Sequence, residues 1–590
     1  MKRFFISFLG SLTAIWVSVI LLGIGIFVTM MMMIASMASG TGAVQVKPNS
    51  VFCLDLGISV CEYPQSMSLM DHLYSRDFTE NVVLGDIVEA IDRASKDEDI
   101  KGMYIKCGDG ISAGMTQIAV ISDAVKRFRK AGKWVYAYGD DIAQSDYVIA
   151  CEADSIFMNP QGSVNIHGLG SSTMYYKGLM DKLDVTMQIA KVGTYKSAVE
   201  PYMVTEPSEA SKEQQTLFLG NMWKVIKDRI ITARNVDSTA IDNWANSFSI
   251  MNDKAWFLSE KIVDAEIYRH QMEDKLKAKV KCKKEDDINF VSPSDYLASG
   301  RNVPEKGKAR IAVYYAEGEI NDSGESGIVG DKVCKDILKL AEEKEIDALV
   351  LRVNSPGGSA FASEQIWEAL EQFKTLTGKP FYVSMSDYAA SGGYYISCGA
   401  DRIYADPLTL TGSIGIFGML PNASGLLTDK LGVTVVSVAT NPEGVMPSMF
   451  QGLTPYQMEA FQKNVERGYE LFVSRVAKGR GMTVDAVKAV AEGRVWDGKE
   501  ALGKGLVDKI GNLDAVLTDL AAELKVKDYE VKKYPEVEQD FWSQMLKIGS
   551  NVKMHIIEDE LGDNFELWYM LQRLQNMAPI QARMDYITVK

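Results

Sequence analysis

The stretch "YYISCGADRIYADP" (Tyr394–Pro407) has a near twin earlier in the chain, "YVIACEADSIFMNP" (Tyr147–Pro160). Chance accounts for one such match but not for a series, and matched blocks extend outward from this pair in unbroken order. Upstream lie two strand-like runs, "WVYAYGDD" (Trp134–Asp141) and "PFYVSMSD" (Pro380–Asp387). Before them come two amphipathic segments that both end in Gly-Lys, a helix C-cap signal: "TQIAVISDAVKRFRKAGK" (Thr116–Lys133) and "SEQIWEALEQFKTLTGK" (Ser363–Lys379). Further out, "DIKGMYIKCGDG" (Asp99–Gly110) parallels "EIDALVLRVNSP" (Glu345–Pro356), each a β-rich run entering a polar turn. Downstream, "DKLDVT" (Asp181–Thr186) matches "DKLGVT" (Asp429–Thr434), and "LSEKIVD" (Leu258–Asp264) matches "LGKGLVD" (Leu502–Asp508).

The series implies two tandem copies of one α/β domain, with strand, turn and helix alternating through right-handed crossovers. The first copy spans residues 47–300 and the second 301–525. "VSPSDYLASGRNVPEKGK" (Val291–Lys308) is rich in turn formers and reads as the linker. Residues 526–590 read as a helical tail with aromatic positions, as in "FELWYMLQRLQNM" (Phe565–Met577).

A chain of 590 residues with 47% hydrophobic and 24% charged residues has ample material for packed cores. Its net charge of -15 disfavours nucleic acid as a partner, because phosphate binding needs a basic surface. Residues 1–46 read as a membrane anchor. Lys2 and Arg3 precede a run without charge up to Lys47, and its most apolar part, Ala14–Ile34, is long enough to cross about 30 Å of hydrocarbon as a helix. A cleaved signal peptide is the alternative, since "SMASG" (Ser36–Gly40) offers small residues, but its apolar region would be only about 7–15 residues long. With Lys2 and Arg3 cytoplasmic, the remainder lies on the extracytoplasmic side of the cytoplasmic (inner) membrane, a single-pass arrangement. Seven cysteines (Cys53, Cys61, Cys107, Cys151, Cys282, Cys334, Cys398) form no metal-type CxxC pair. They read as isolated thiols, with Cys53 and Cys61 the one nearby pair. No cofactor is implied.

Repeated domains bury their cores alike, so functional information lies where the copies differ. After its first strand the second copy has "NSPGGSA" (Asn354–Ala360) where the first has "CGDGISAG" (Cys107–Gly114). Gly357 and Gly358 allow backbone N–H groups to face a site and form an oxyanion hole, although Pro-Gly-Gly is also an ordinary turn. The second copy then has "DYAASGGYYIS" (Asp387–Ser397), where the first keeps a serine, Ser145, but no glycines. Ser391, among small residues, reads either as an N-cap or as an exposed nucleophile. The adjacent Gly392 offers a further candidate amide donor. The first copy has "KVGTYKSAVEPY" (Lys191–Tyr202), whereas the second has no lysine between Lys430 and Lys463. One half thus keeps a lysine and lacks the glycine-flanked serine, and the other does the reverse. One active site divided between two copies would leave this pattern.

A serine nucleophile needs a base. None of His72, His167, His270 and His555 stands beside an acid in a matched motif, and there is no H-E-x-x-H. A lysine remains. Its reference pKa of about 10.4 has to fall by roughly 3 units, about 4 kcal/mol, for it to act near neutrality, and burial supplies that kind of shift. Lys196 has apolar neighbours in sequence, while its competitor Lys191 lies in a strand-like run.

With "GTYKSAVEP" (Gly193–Pro201), "DYAASGGYYIS" and "TGSIGIFG" (Thr411–Gly418) in view, the chain resembles the long, tandem form of the signal peptide peptidase A (protease IV) family. The resemblance covers anchor, both copies and tail. It implies a ClpP/crotonase-like fold and a Ser–Lys dyad with Ser391 as nucleophile and Lys196 as general base. It also implies a homotetramer and, as substrates, apolar signal-peptide remnants. Ser413, on a glycine-bounded bend, is expected either to hydrogen-bond Lys196 or to cap its own turn. Two rival functions share the fold: an acyl-CoA hydratase or isomerase, and a noncatalytic membrane scaffold.

Overall fold

The structure, a computed structural model, describes residues 16, 21–25, 45–64, 81–324, 327–536 and 580–584. Of the anchor expected at 14–34, only Trp16 and residues 21–25 fall among these. No described helix is long and apolar enough to cross a membrane.

Two parallel sheets of the same design form the body. In space the first runs Phe290–Val291, Ser50–Asp55, Ile100–Lys106, Trp134–Ile142, Ser155–Val164, Ala265–Glu266. The second repeats that order with Tyr529–Tyr534, Ala309–Glu317, Ala348–Ser355, Phe381–Ala390, Arg402–Ala405 and Lys509–Ile510. Every neighbouring pair in both series is parallel. Near-continuous apolar strands such as "ALVLRV" (Ala348–Val353) suit this burial on both faces. Matched details recur: the Asp154 and Asp401 carboxylates accept the N–H of Val135 (2.9 Å) and Phe381 (2.8 Å) at the starts of equivalent strands. The described ends of the tail are strands, which corrects the helical expectation there. Tyr529–Tyr534 takes the sheet position that Phe290–Val291 holds in the first copy, so long-range pairing decides its state. The second is Ile580–Arg583. Phe565–Met577 lies outside the described residues. All seven cysteines are free thiols.

A third, smaller sheet joins the copies. Its order is Ile328–Val329, Ile320–Asn321, Gly357–Ser359, Ile580–Arg583, Phe417–Asn422, Thr186–Lys191. The last pairing, antiparallel from Phe417↔Lys191 to Asn422↔Thr186, carries a strand of the first copy onto the second. A buried polar cluster joins them elsewhere. Glu62 accepts from Arg352 Nε (2.9 Å) and Nη2 (3.0 Å), from Gln117 Nε2 (3.1 Å) and from Ser386 Oγ. Burial alone would raise the Glu62 carboxyl, but the Arg352 charge and these hydrogen bonds outweigh it and hold it below its ordinary range. Beside it, the buried Asp387 carboxylate accepts the Thr116 N–H at 2.7 Å, and burial pushes its pKa up to about 7.

Candidate active site

The strand Phe381–Ala390 ends at Ser391, which caps the short helix Gly392–Ser397 with φ 56° and ψ -113°. A non-glycine residue rarely adopts such a positive φ, at a cost of about 1–3 kcal/mol. The surroundings hold it there. Ser391 N–H donates to the Gly412 carbonyl (2.8 Å), and the Ser391 carbonyl accepts from Tyr395 N–H (2.8 Å). The glycines are required by space: a Cβ on Gly392 would lie 2.7 Å from Ser363 Oγ, and one on Gly393 2.7 Å from the Ser355 carbonyl oxygen. The helix therefore packs directly on the end of the neighbouring strand.

Lys196 arrives from the other copy. After the shared antiparallel pairing, Val192 N–H donates to Ile416 O (3.1 Å) and Tyr195 N–H to Glu492 O (3.0 Å). The intervening Gly193 has φ +105° and is pressed against the Glu492 carbonyl, so a side chain does not fit. The loop then delivers Lys196 Nζ to 2.8 Å from Ser391 Oγ, 3.1 Å from Ser413 Oγ and 3.1 Å from the Ser413 carbonyl oxygen. Lys196 is 1% exposed, Ser391 0% and Ser413 1%. No carboxylate among the described residues pairs with the ammonium, and burial holds its pKa well below the ordinary lysine value. Three contacts and the Cε bond fill the tetrahedral positions of a neutral amine. Two N–H groups point to the Ser413 oxygens, and the lone pair faces Ser391 Oγ–H.

Of the two oxyanion candidates in the turn, Gly357 (φ +100°) lies beside Ser391: a Cβ there would be 2.7 Å from Gly392 N and 3.0 Å from the Ala390 carbonyl oxygen. Gly358 is held in the small sheet, paired with Ile320 on one side and Ala582 on the other. Lys191 remains in its strand opposite Phe417. His167 gives its backbone N–H to Gln144 Oε1 (3.0 Å), and the His270 ring stacks on Tyr268. His72 and His555 lie outside the described residues.

The first copy's equivalent position is closed. Tyr147 and Tyr394 match, their hydroxyls donating to Ile262 O (2.9 Å) and Leu506 O (2.8 Å) in the matched blocks. Counting back from these tyrosines, the counterpart of Ser391 is Gln144 rather than Ser145. Its Nε2 donates to Gly168 O at 2.8 Å. The counterpart of Gly393 is Asp146, whose carboxylate accepts from Gly108 N–H (2.8 Å) and Ile111 N–H (2.7 Å), and Ile111 corresponds to Gly357. An internal carboxylate thus occupies the amides that lie free of side chains in the second copy. Burial raises the Asp146 pKa to about 6. Sequence reasoning missed this plug, and it missed Gly415 and Gly493, which flank the lysine.

The family model described as Peptidase family S49 matches residues 127–283 and 374–527, one match in each copy. Protease 4 of Haemophilus influenzae is 36% identical over 471 residues, covering 76% of this chain and 75% of its own. Serine protease SPPA, chloroplastic, of Arabidopsis thaliana is 28% identical over 539 residues, covering 88% and 76%. Among solved structures, ClpP1 from Listeria monocytogenes overlaps 35% of this chain and 94% of its own at 18% identity, with a TM-score of 0.23.

Proposed function

The chain belongs to peptidase family S49 and is a serine protease, and on that premise we propose that Ser391 is its nucleophile and Lys196 its general base. The observation that carries this reading is the buried Lys196 Nζ at 2.8 Å from Ser391 Oγ with no carboxylate partner among the described residues. A desolvated lysine is neutral near physiological pH and can accept a proton. As Oγ attacks the peptide carbonyl carbon, its proton passes to Nζ. The tetrahedral oxyanion is met by backbone N–H groups of the Gly357–Gly358 turn and of Gly392. The C–N bond then breaks as Lys196 returns the proton to the leaving amine, and an ester remains on Ser391. Water attacks that ester, giving its proton to Lys196, and the acid product leaves. Ser413 is a positioning residue that fixes the lone pair.

Each copy is, on this reading, a ClpP/crotonase-like unit. The substrates are unfolded apolar peptides of the kind left when signal peptides are released. Residues 14–34 anchor the chain in the cytoplasmic membrane, with the site on the extracytoplasmic side, and the working form is a homotetramer. Anchoring near the bilayer raises the effective concentration of such peptides.

The test is hydrolysis of an apolar peptide by Ser391→Ala and Lys196→Ala, with labelling of the wild type by a serine-directed phosphonate. Both variants are expected to remain folded and lose activity by about 10⁴-fold or more. Retention of most of kcat/KM near neutral pH by Lys196→Ala overturns the base assignment. Comparison of a released signal peptide with a folded protein of similar local sequence tests the substrate class, and equal cleavage of both sinks it.

A further inference from the structure

One strand beside the site comes from more than 200 residues away in the chain. Ile580–Arg583 lies between Gly357–Ser359 and Phe417–Asn422 and runs antiparallel to both. The two neighbours therefore stand two strand spacings apart, about 10 Å, each turning a ladder edge toward the other. Extended peptides bind by strand addition in such a slot, here from both sides at once. The occupant passes the nucleophile. The Ala582 carbonyl oxygen abuts Gly357, and a Cβ on Gly392 would lie 2.9 Å from it. Past it, Met584 N–H donates to the Pro356 carbonyl at 2.8 Å. The Ala582 side chain is fully buried, and Arg583 Nη1 pairs with Glu319 Oε1 at 2.9 Å.

We propose that Ile580–Met584 is a resident competitor of the substrate, seated in the peptide slot as a substrate would be. The proposal rests on the reading of Ser391 as nucleophile. Its ladder bonds are main-chain bonds, so any extended peptide can replace them. What is particular to its sequence is the small residue at 582, which fits the closed space over Gly357, and the basic residue at 583, which meets Glu319. Peptides with a small residue followed by a basic one displace it best, and Glu319 is the specificity-determining residue for that second position.

The experiment compares the full chain, a chain ending at residue 579, Ala582→Asp and Glu319→Gln. It reads KM and kcat on an apolar peptide and the rate of phosphonate labelling of Ser391. With the slot filled about nine-tenths of the time, freeing it lowers KM about tenfold at similar kcat. Labelling speeds up accordingly, and a synthetic peptide of residues 578–590 competes with substrate. Glu319→Gln weakens that competition and abolishes the preference for a basic residue after the small one. Where the shortened chain does not fold, as judged by circular dichroism, Ala582→Asp and the peptide competition decide. Unchanged KM in a folded variant that still labels, with no effect of the peptide, overturns the proposal alone. So does a folded variant that loses kcat, because the strand is then a wall of the site. No labelling of Ser391 in any form overturns the nucleophile assignment and this proposal with it.

Discussion

The backbone of Gly493 lies directly against Lys196, with no space for a side chain between them. A Cβ on Gly493 would fall 2.7 Å from Lys196 Cβ and 2.8 Å from its Cα. Gly493 also has φ +77°, which alanine adopts only at a cost. Gly493→Ala is therefore expected to displace the lysine and lower kcat/KM about 100-fold, the usual consequence of moving a reacting group by about 1 Å. Thermal unfolding should change modestly. Full activity in a folded Gly493→Ala enzyme contradicts the tight packing.

The pH profile follows from the state of Lys196. Burial favours the neutral amine, so kcat/KM should rise with pH as the ammonium deprotonates, along a limb well below the ordinary lysine range. Ser413→Ala removes one acceptor at 3.1 Å and leaves the carbonyl contact. It should cost about tenfold in kcat/KM, and it should shift the acid limb to lower pH, since an acceptor favours the ammonium. A merely structural Ser413 would leave the limb in place.

Stability should carry a separate pH signature. Asp387 sits at about 7 instead of its ordinary 3.8, because burial disfavours its charge. A raised carboxyl contributes stability that is fully present below the unfolded pKa and is lost as pH rises through the folded one. Denaturant unfolding should therefore show weakening between about pH 5 and 8, by up to about 4 kcal/mol. Asp387→Asn keeps an acceptor for Thr116 N–H and should flatten that slope. An equal slope in the variant assigns the effect to another group.

The Glu62–Arg352 pair is fully buried between the copies. Arg352→Met leaves a buried carboxylate without its cation and should destabilise by about 3–5 kcal/mol. Adding Glu62→Gln should recover much of that loss. Strict additivity in this double-mutant cycle would show that the two groups do not couple.

Asp146→Ala is expected to cost about 1–3 kcal/mol for each of the Gly108 and Ile111 amides left without its carboxylate. Peptide hydrolysis should stay within about twofold, because the plug lies outside the reacting pair.

The repeat was legible because ordered blocks such as Tyr147–Pro160 and Tyr394–Pro407 keep their order over the whole chain. Ser391 and Lys196 were legible because each copy lacks what the other keeps. Gly493 gave no signal: a single glycine in "AEGRVW" (Ala491–Trp496) looks like any turn, and its role depends on a loop about 300 residues earlier. Ser145 misled because the first copy has an extra residue between strand end and tyrosine, which puts Gln144 at the equivalent position. The strand Ile580–Arg583 was hidden for the same reason as Tyr529–Tyr534. Four residues without clear alternation take their state from partners far away in sequence.

The division of the reacting pair between the copies has a consequence in time. A ribosome releases the lysine-bearing half first, then Ser391, then the Gly493 segment that backs the lysine. A growing chain holds a serine with no base in register until all three have emerged and the joining sheet has closed. The nascent protein is thus chemically inert toward its own unfolded segments and toward its neighbours, and it gains hydrolytic power only when its synthesis is nearly done.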